Sequence, residues 1–247
     1  MRKIVVVTDC IDIAFNEIRG AIYSNAEIDD FIIEPIVVVD NYNIVNTAFA
    51  VRLVADIYPE GTIICVIVHH LQQRAERIIG RTKDKGIVFE GTNTGAFGWL
   101  LKDFGCEEIF ELYDPGFVQF GGKNIHAPNV GKSLTTPIEQ LGNKFCLSRV
   151  RDVELIDGII LHIDNFGNIK FKHKFEDVEN MTRFMITLNG REYKVKYYER
   201  MMNGNDGELV VYKGSSFGFS EIGVVRGNAA DLLKPRVGDV VIIREDR

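Results

Sequence analysis

The chain has 247 residues, of which 46% are hydrophobic, enough to bury a core in one large domain or two modest ones. The formal net charge is −6, with 29 Lys and Arg scattered among 35 Asp and Glu. That balance excludes nucleic acid or an anionic membrane surface as main partner, because both need a concentrated basic face, and no apolar run approaches the about 20 residues that span a bilayer.

The stretch Met1–Cys10 carries two basic residues and a short apolar run, lacks a small-residue cleavage site and soon turns acidic, so it reads as a first strand rather than a signal peptide. Its centre, Ile4–Thr8, is β-branched and predicts a buried strand. Asn16–Tyr23 predicts a helix, and Phe31–Val39 is an apolar run broken by Glu34 and Pro35. Ile44, Ala48, Val51, Ala55 and Tyr58 recur at helical spacing, and Pro59 with Gly61 ends that helix. Thr62–Val68 and Gly86–Phe89 predict strands, and Phe97–Asp103 predicts a helix that Gly105 terminates. Such alternation implies a largely parallel sheet with helices on its faces, a three-layer α/β domain over residues 1–152.

From Gly158 the helical patterns fade. Ile159–Ile163, Arg183–Leu188, Tyr193–Tyr197, Glu208–Tyr212, Glu221–Val225 and Val240–Arg244 read as strands, separated by turns such as Leu188–Arg191 and Asn203–Gly207. Short strands at this spacing predict a small all-β, barrel-like antiparallel domain over residues 153–247. The four cysteines, Cys10, Cys65, Cys106 and Cys146, form no C-x-x-C pair, which suits reduced thiols in a cytoplasmic protein and argues against a metal site.

Two nucleotide motifs nearly form. Asn129-Val130-Gly131-Lys132-Ser133 ends like a phosphate loop, but His126 stands where that motif needs glycine; Gly91, Gly95 and Gly98 lack the G-x-G opening of a dinucleotide turn. Asp9 falls just past the first strand, where open α/β sheets place ligands; it suits a ribose diol, or equally a helix cap or loop acid. Asp164, Asn165, Phe166, Gly167 and Asn168 read first as a hairpin turn. Gly223–Leu233 holds small residues that let a backbone approach a flat ligand, or form a strand leading to a short helix. His69 and His70 follow a strand and point to opposite sides, which argues against a shared metal.

In their order these segments resemble the S-adenosyl-L-methionine-cleaving adenosyltransferases, the hydroxide-using hydrolases and their halogenase relatives. The resemblance covers nearly the whole chain. Thr8-Asp9-Cys10 and Asp12–Gly20 are similar to the family's T-D-F-G and D-P-Y-V-G-x-M-K-G, shortened by two residues between them. Pro59–Thr62 matches P-E-G-T, and Ile163–Asn168 matches I-D-x-F-G-N in full. Gly214-Ser215-Ser216, Asn228–Leu233 and Val237-Gly238-Asp239 resemble the closing G-S-S-G, N-A-A-x-L-L and V-G-D elements.

The resemblance implies an α/β N-domain joined to a small β-barrel, assembled as a homotrimer, with S-adenosylmethionine (SAM) or adenosine as ligand and no separate cofactor. The ligand would lie between one subunit's N-domain and a neighbour's C-domain. By resemblance Asp9 holds the ribose diol and Asp12 faces the methionine end. Asp164, Phe166 and Asn168 line the pocket, Asn168 near the adenine, while Arg226, Asn228 and Ala229 frame the base.

The chain departs from the family where water is activated. V-D-P-G-V-G-x-x-R becomes Val68–Arg77, which puts His69 at the family's Asp and Glu76 at its Arg, with Arg74 and Arg77 close by. P-D-N-G becomes Thr92-Asn93-Thr94-Gly95, and H-G-R-D-I-F-A-P becomes Gly121–Pro128, with Gly121 at the family's His. Attack on C5′ expels neutral methionine from a sulfonium, and water must be oriented and deprotonated to make that attack. The expectation is therefore a nucleoside- or SAM-binding member with weak or absent hydrolysis. His69, His70 and His126 are candidates for a replacement base, or fillers of space left by loop changes. The rival readings are a non-catalytic nucleoside-binding or sensor protein, and an enzyme using another nucleophile or nucleoside.

Overall fold

The computed structural model describes residues 1–69, 71–176 and 183–245. The chain divides into two compact units, Met1–Val153 and Glu154–Arg247. In the first, the sheet runs β2 (Phe31–Ile33), β1 (Arg2–Thr8), β4 (Ile63–Ile67), β6 (Val88–Thr92), β5 (Arg77–Arg81), β7 (Glu108–Leu112), β8 (Gly142–Lys144), and β3 (Val37–Val38) also pairs with β1. The half from β2 to β6 is parallel. The half from β6 to β8 is antiparallel. The expected largely parallel sheet is thus a mixed one. The cause is β5, unread in the sequence. The short connection from Arg81 to Val88 cannot hold the dozen or more residues of a crossover, so β5 and β6 form a hairpin.

The side chains of β1 alternate between two apolar clusters. Val5 and Val7 pack with Val51 and Ala55 of α2 (Ile44–Ile57) and Leu100 of α3 (Gly98–Phe104). Ile4 and Val6 pack with Ile18 and Ile22 of α1 (Ile13–Asn25) and Val130 of α4 (Ala127–Lys132). A strand buried on both faces reads as an unbroken β-branched run, which is why β1 was legible. Each such side chain contributes about 1.5–3 kcal/mol on burial. The α2 start is fixed by Asn43, whose side chain accepts the Asn46 N–H at 3.0 Å. Among the described residues, no helix is long and apolar enough to cross a membrane.

The second unit is one curled sheet in the order β15 (Ile242–Glu245), β11 (Arg183–Leu188), β12 (Arg191–Tyr197), β13 (Leu209–Lys213), β14 (Phe219–Val224), β10 (Ile169–Lys174), β9 (Ile160–Ile163). A bridge between Ile159 and Val240 joins segments flanking β9 and β15, the two ends of that order. The pairing is antiparallel except for β12 and β13, which run parallel through Lys196–Val210 and Tyr197–Val211. That corrects the expected wholly antiparallel domain. The Asn203–Gly207 stretch does not close a hairpin; the chain crosses over through a 3₁₀ turn at Met201–Asn203. The short helix α5 (Ala229–Leu233) follows β14.

Candidate active site

A cavity of about 250 Å³ opens where β1, β4 and β6 end at their carboxyl edges. Open α/β sheets bind ligands at that edge because loops diverge there and strand side chains no longer fill the space. Asp9 and Cys10 enter from β1, Ile67, Val68 and His69 from β4, and Thr92 from β6. Arg74, Ala75 and Arg77 come from the approach to β5, and Tyr42 from the loop before α2. Phe120, Gly121, Gly122 and His126 close the remaining side. Thr8 locks two of these strand ends together, its Oγ1 donating to the Ile67 carbonyl at 2.7 Å.

Asp9 Oδ2 accepts the Tyr42 N–H at 2.8 Å, and Oδ1 accepts the Cys10 thiol at 3.8 Å. Burial pushes the Cys10 thiol pKa up, and the Asp9 charge pushes in the same direction. Asp9 lines the cavity with Oδ2 engaged by a backbone N–H and Oδ1 by the weaker thiol donor.

The imidazole comes from the π-helical turn Gly122–His126. A Cβ on Gly122 would lie 2.7 Å from Ile67 Cγ2, so glycine lets this turn press against β4. His126 Nδ1 is 2.6 Å from Glu90 Oε1, and Nε2 is 3.2 Å from Thr92 Oγ1. Glu90 is wholly buried in mid-β6, and its Oε2 accepts the Cys65 thiol at 3.5 Å. Burial, then the Glu90 charge, pushes the Cys65 thiol well up.

Two guanidiniums border the cavity. Arg77 is mostly buried and 3.3 Å from Asp114 Oδ1, whereas Arg74, also paired with Asp114, is half exposed. Burial lowers the Arg77 pKa, and the Arg74 charge adds to that; Asp114 opposes it. Glu76, at the position of the family's arginine, does not line the cavity. It accepts from Arg149 Nη2 at 2.7 Å and Asn93 Nδ2 at 3.2 Å. Gly121, at the position of the family's histidine, backs onto Arg77, with Nη2 3.8 Å from where its Cβ would lie.

The remaining expected residues divide. His69 sits exposed at the cavity rim, and His70 lies outside the described residues. Asp12 is exposed, with φ of 66°, and does not line the cavity. In the second unit Asp164 builds a turn, its Oδ1 accepting the N–H groups of Phe166 and Asn168, each at 2.9 Å. Its Oδ2 accepts Asn168 Nδ2 at 3.0 Å. This is the hairpin-turn reading of the sequence, and it leaves Phe166 69% exposed. The turn rests on Asn228, since a Cβ at Gly167 would meet Asn228 Oδ1 at 1.9 Å, and the Gly167 carbonyl accepts the Ala230 N–H at 3.0 Å. Asn228 caps α5 by accepting the Asp231 N–H at 2.8 Å, and Ala229 is buried behind it. Arg226 has φ of 51° and an exposed pairing with Asp206 at 3.3 Å.

Glu90 escaped the sequence reading. The available signal was a lone carboxylate directly after the apolar run Ile87–Phe89, where an acid is buried only with partners.

Residues 158–242 match the family model for the SAM hydroxide adenosyltransferase C-terminal domain. Two solved structures are similar over almost the entire chain. An uncharacterized conserved protein from Thermotoga maritima has a TM-score of 0.83 at 21% identity, covering 98% of this chain and 100% of its own. A conserved hypothetical protein from Thermus thermophilus has a TM-score of 0.78 at 18% identity, covering 99% of this chain and 100% of its own. At these identities the two structures establish the fold. No curated protein matches the sequence.

Proposed function

We propose that this chain, whose second unit matches the SAM hydroxide adenosyltransferase C-terminal domain, binds SAM and cleaves it with water to adenosine and methionine. One observation carries the reading. A single cavity gathers an acceptor for a ribose, Asp9, a mostly buried cation, Arg77, and an imidazole, His126. Asp9 stands where the resemblance puts the ribose acid, whereas Arg77 and His126 stand at positions other than those of the resembled hydrolases' arginine and histidine, and His69 replaces the acid of their water-activating set.

In this mechanism Asp9 accepts from the ribose hydroxyls and fixes C5′ against the strand ends. Arg77 orients the attacking water. The water oxygen bonds to C5′, the C5′–S bond breaks, and its electron pair stays on sulfur as neutral methionine. The water's proton leaves toward His126. The cationic sulfonium disappears as the proton is released, so charge balances. His69, at the rim, is placed to face solvent and plays the lesser part. Asp164, Phe166, Asn168, Arg226, Asn228 and Ala229 are the residues that the resemblance assigns to the base, supplied by a neighbouring subunit of a homotrimer.

Incubation with SAM, followed by chromatography, tests the reading. Stoichiometric adenosine and methionine are expected. SAM left intact, with adenosine still bound, would instead leave a nucleoside-binding protein without catalysis.

A further inference from the structure

We infer that Glu90, His126 and Thr92 form a proton relay, in which the Thr92 hydroxyl meets the attacking water, His126 is the acceptor and Glu90 is its positioning residue. The inference rests on the hydrolytic reading above and names how its water loses a proton.

The geometry follows from β6. Glu90 and Thr92 are two residues apart on one strand, so their side chains leave the same face. Both therefore meet the ring that the π-helical turn presents. Glu90 takes Nδ1 at 2.6 Å and Thr92 takes Nε2 at 3.2 Å. All three are nearly or fully buried, at 0%, 4% and 7% exposure for Glu90, His126 and Thr92. Only Thr92 and His126 reach the cavity wall.

The chemistry of the donors assigns direction. A carboxylate only accepts, so Nδ1 carries the ring hydrogen and donates it to Glu90. That leaves the Nε2 lone pair free, and the Thr92 hydroxyl donates to it. The hydroxyl oxygen in turn has lone pairs for a proton from the cavity. As water attacks C5′, its proton passes to Thr92 Oγ1, and the Thr92 proton passes to His126 Nε2. The resulting imidazolium lies against the Glu90 carboxylate. An unpaired carboxylate in mid-strand would be costly to bury; here its partners are His126 and the Cys65 thiol. Cys65 on β4 and Arg77 on β5 interact electrostatically with Glu90, and Asp9, His69 and Arg74 are the other charged or titratable groups of the cavity wall besides Cys10 and Tyr42.

Three variants and one spectrum test it. Thr92→Val keeps shape and removes the hydroxyl; SAM turnover should fall by about 10²-fold, within the usual range for general-base help, with adenosine affinity unchanged. Thr92→Ser should restore most of that loss, which a packing role would not predict. Glu90→Gln should lower turnover similarly and move the acidic limb of the pH–rate profile to lower pH, because the imidazolium loses its counter-charge. Nitrogen-15 NMR of the wild-type protein should show His126 protonated at Nδ1 when neutral. Thr92→Val turning over at the wild-type rate, or a neutral His126 protonated at Nε2, overturns the relay. Intact SAM with the wild-type protein strikes the hydrolytic reading instead, and the NMR result then still decides the arrangement of the three groups.

Discussion

Asp9 Oδ2 holds the backbone N–H of Tyr42 at 2.8 Å, which ties the end of β1 to the loop before α2 and occupies one of the two carboxylate oxygens. Asp9 therefore does two things that a single truncation confounds. Asp9→Ala should weaken adenosine binding at least about 10-fold, since each charge-assisted hydrogen bond contributes about 1.5–3 kcal/mol. Asp9→Asn keeps an acceptor for Tyr42 while losing the charge, and should retain the native melting temperature with reduced affinity. Calorimetry giving equal affinities for adenosine and 2′,3′-dideoxyadenosine would remove Asp9 from the ribose.

Arg77 and Arg74 share Asp114, but their exposure separates them, with side chains 15% and 45% accessible. A mostly buried guanidinium acts in a lower dielectric than an exposed one, so its charge is felt more strongly at the cavity. Arg77→Met should lower SAM turnover by at least about 10²-fold, in the range of losing one preorganised donor, while Arg74→Met should cost several-fold at most. Glu76→Gln should leave turnover within about twofold, because Glu76 binds Arg149 and Asn93 rather than the cavity. A steady-state series on the three variants decides the order. Arg74 proving the more damaging would reassign the cation.

How much of this could be read beforehand varies with the kind of signal. β1, β4 and α2 were legible because they are buried along most of their length and run as unbroken apolar or periodic patterns. β5 and β7 were not, because Arg77, Arg81, Glu108 and Glu111 break up their apolar patterns, and Arg77, Arg81 and Glu108 find their ionic partners far off in sequence. The cavity shows the same division. Asp9 was placed by its position after β1. His126, tied to the rejected phosphate loop and named only as a candidate base, owes its site to a π-helical turn that no local pattern announces. Glu76 illustrates a limit of alignment by motif: it takes the aligned position of the arginine, while the strand register puts its neighbour Arg77 at the cavity wall.

The proposed assembly rests on the resemblance, which assigns Asp9 in the first unit and Asp164 to Ala229 in the second to one ligand shared between subunits. A homotrimer is expected in light scattering at micromolar concentration. A monomer at that concentration that still binds adenosine at full affinity would end the case for a composite site.

The parallel pair of β12 and β13 supplies the last prediction. Glu208 precedes β13 and gathers three donors: Lys196 of β12, the Asn205 N–H at 3.0 Å and the Tyr198 hydroxyl at 2.9 Å. The Lys196 ammonium, then the Asn205 N–H and the Tyr198 hydroxyl, lower its pKa from an ordinary 4.5 to about 2. A carboxyl whose folded pKa is depressed stabilises the fold fully above its unfolded pKa, and that contribution disappears as pH falls through the folded one. The window is therefore from about pH 4.5 down to about pH 2. Thermal unfolding followed across it by circular dichroism should show wild type losing stability more steeply than Glu208→Gln, which has no proton to take up there. The difference should shrink in high salt, because the cluster is at the surface. Because other carboxylates titrate in both proteins, the contrast between them is the measurement. Parallel pH profiles for wild type and variant would show that Glu208 does not clamp this crossover, and would leave the β12–β13 register to backbone pairing and the burial of Val195, Val210 and Val211.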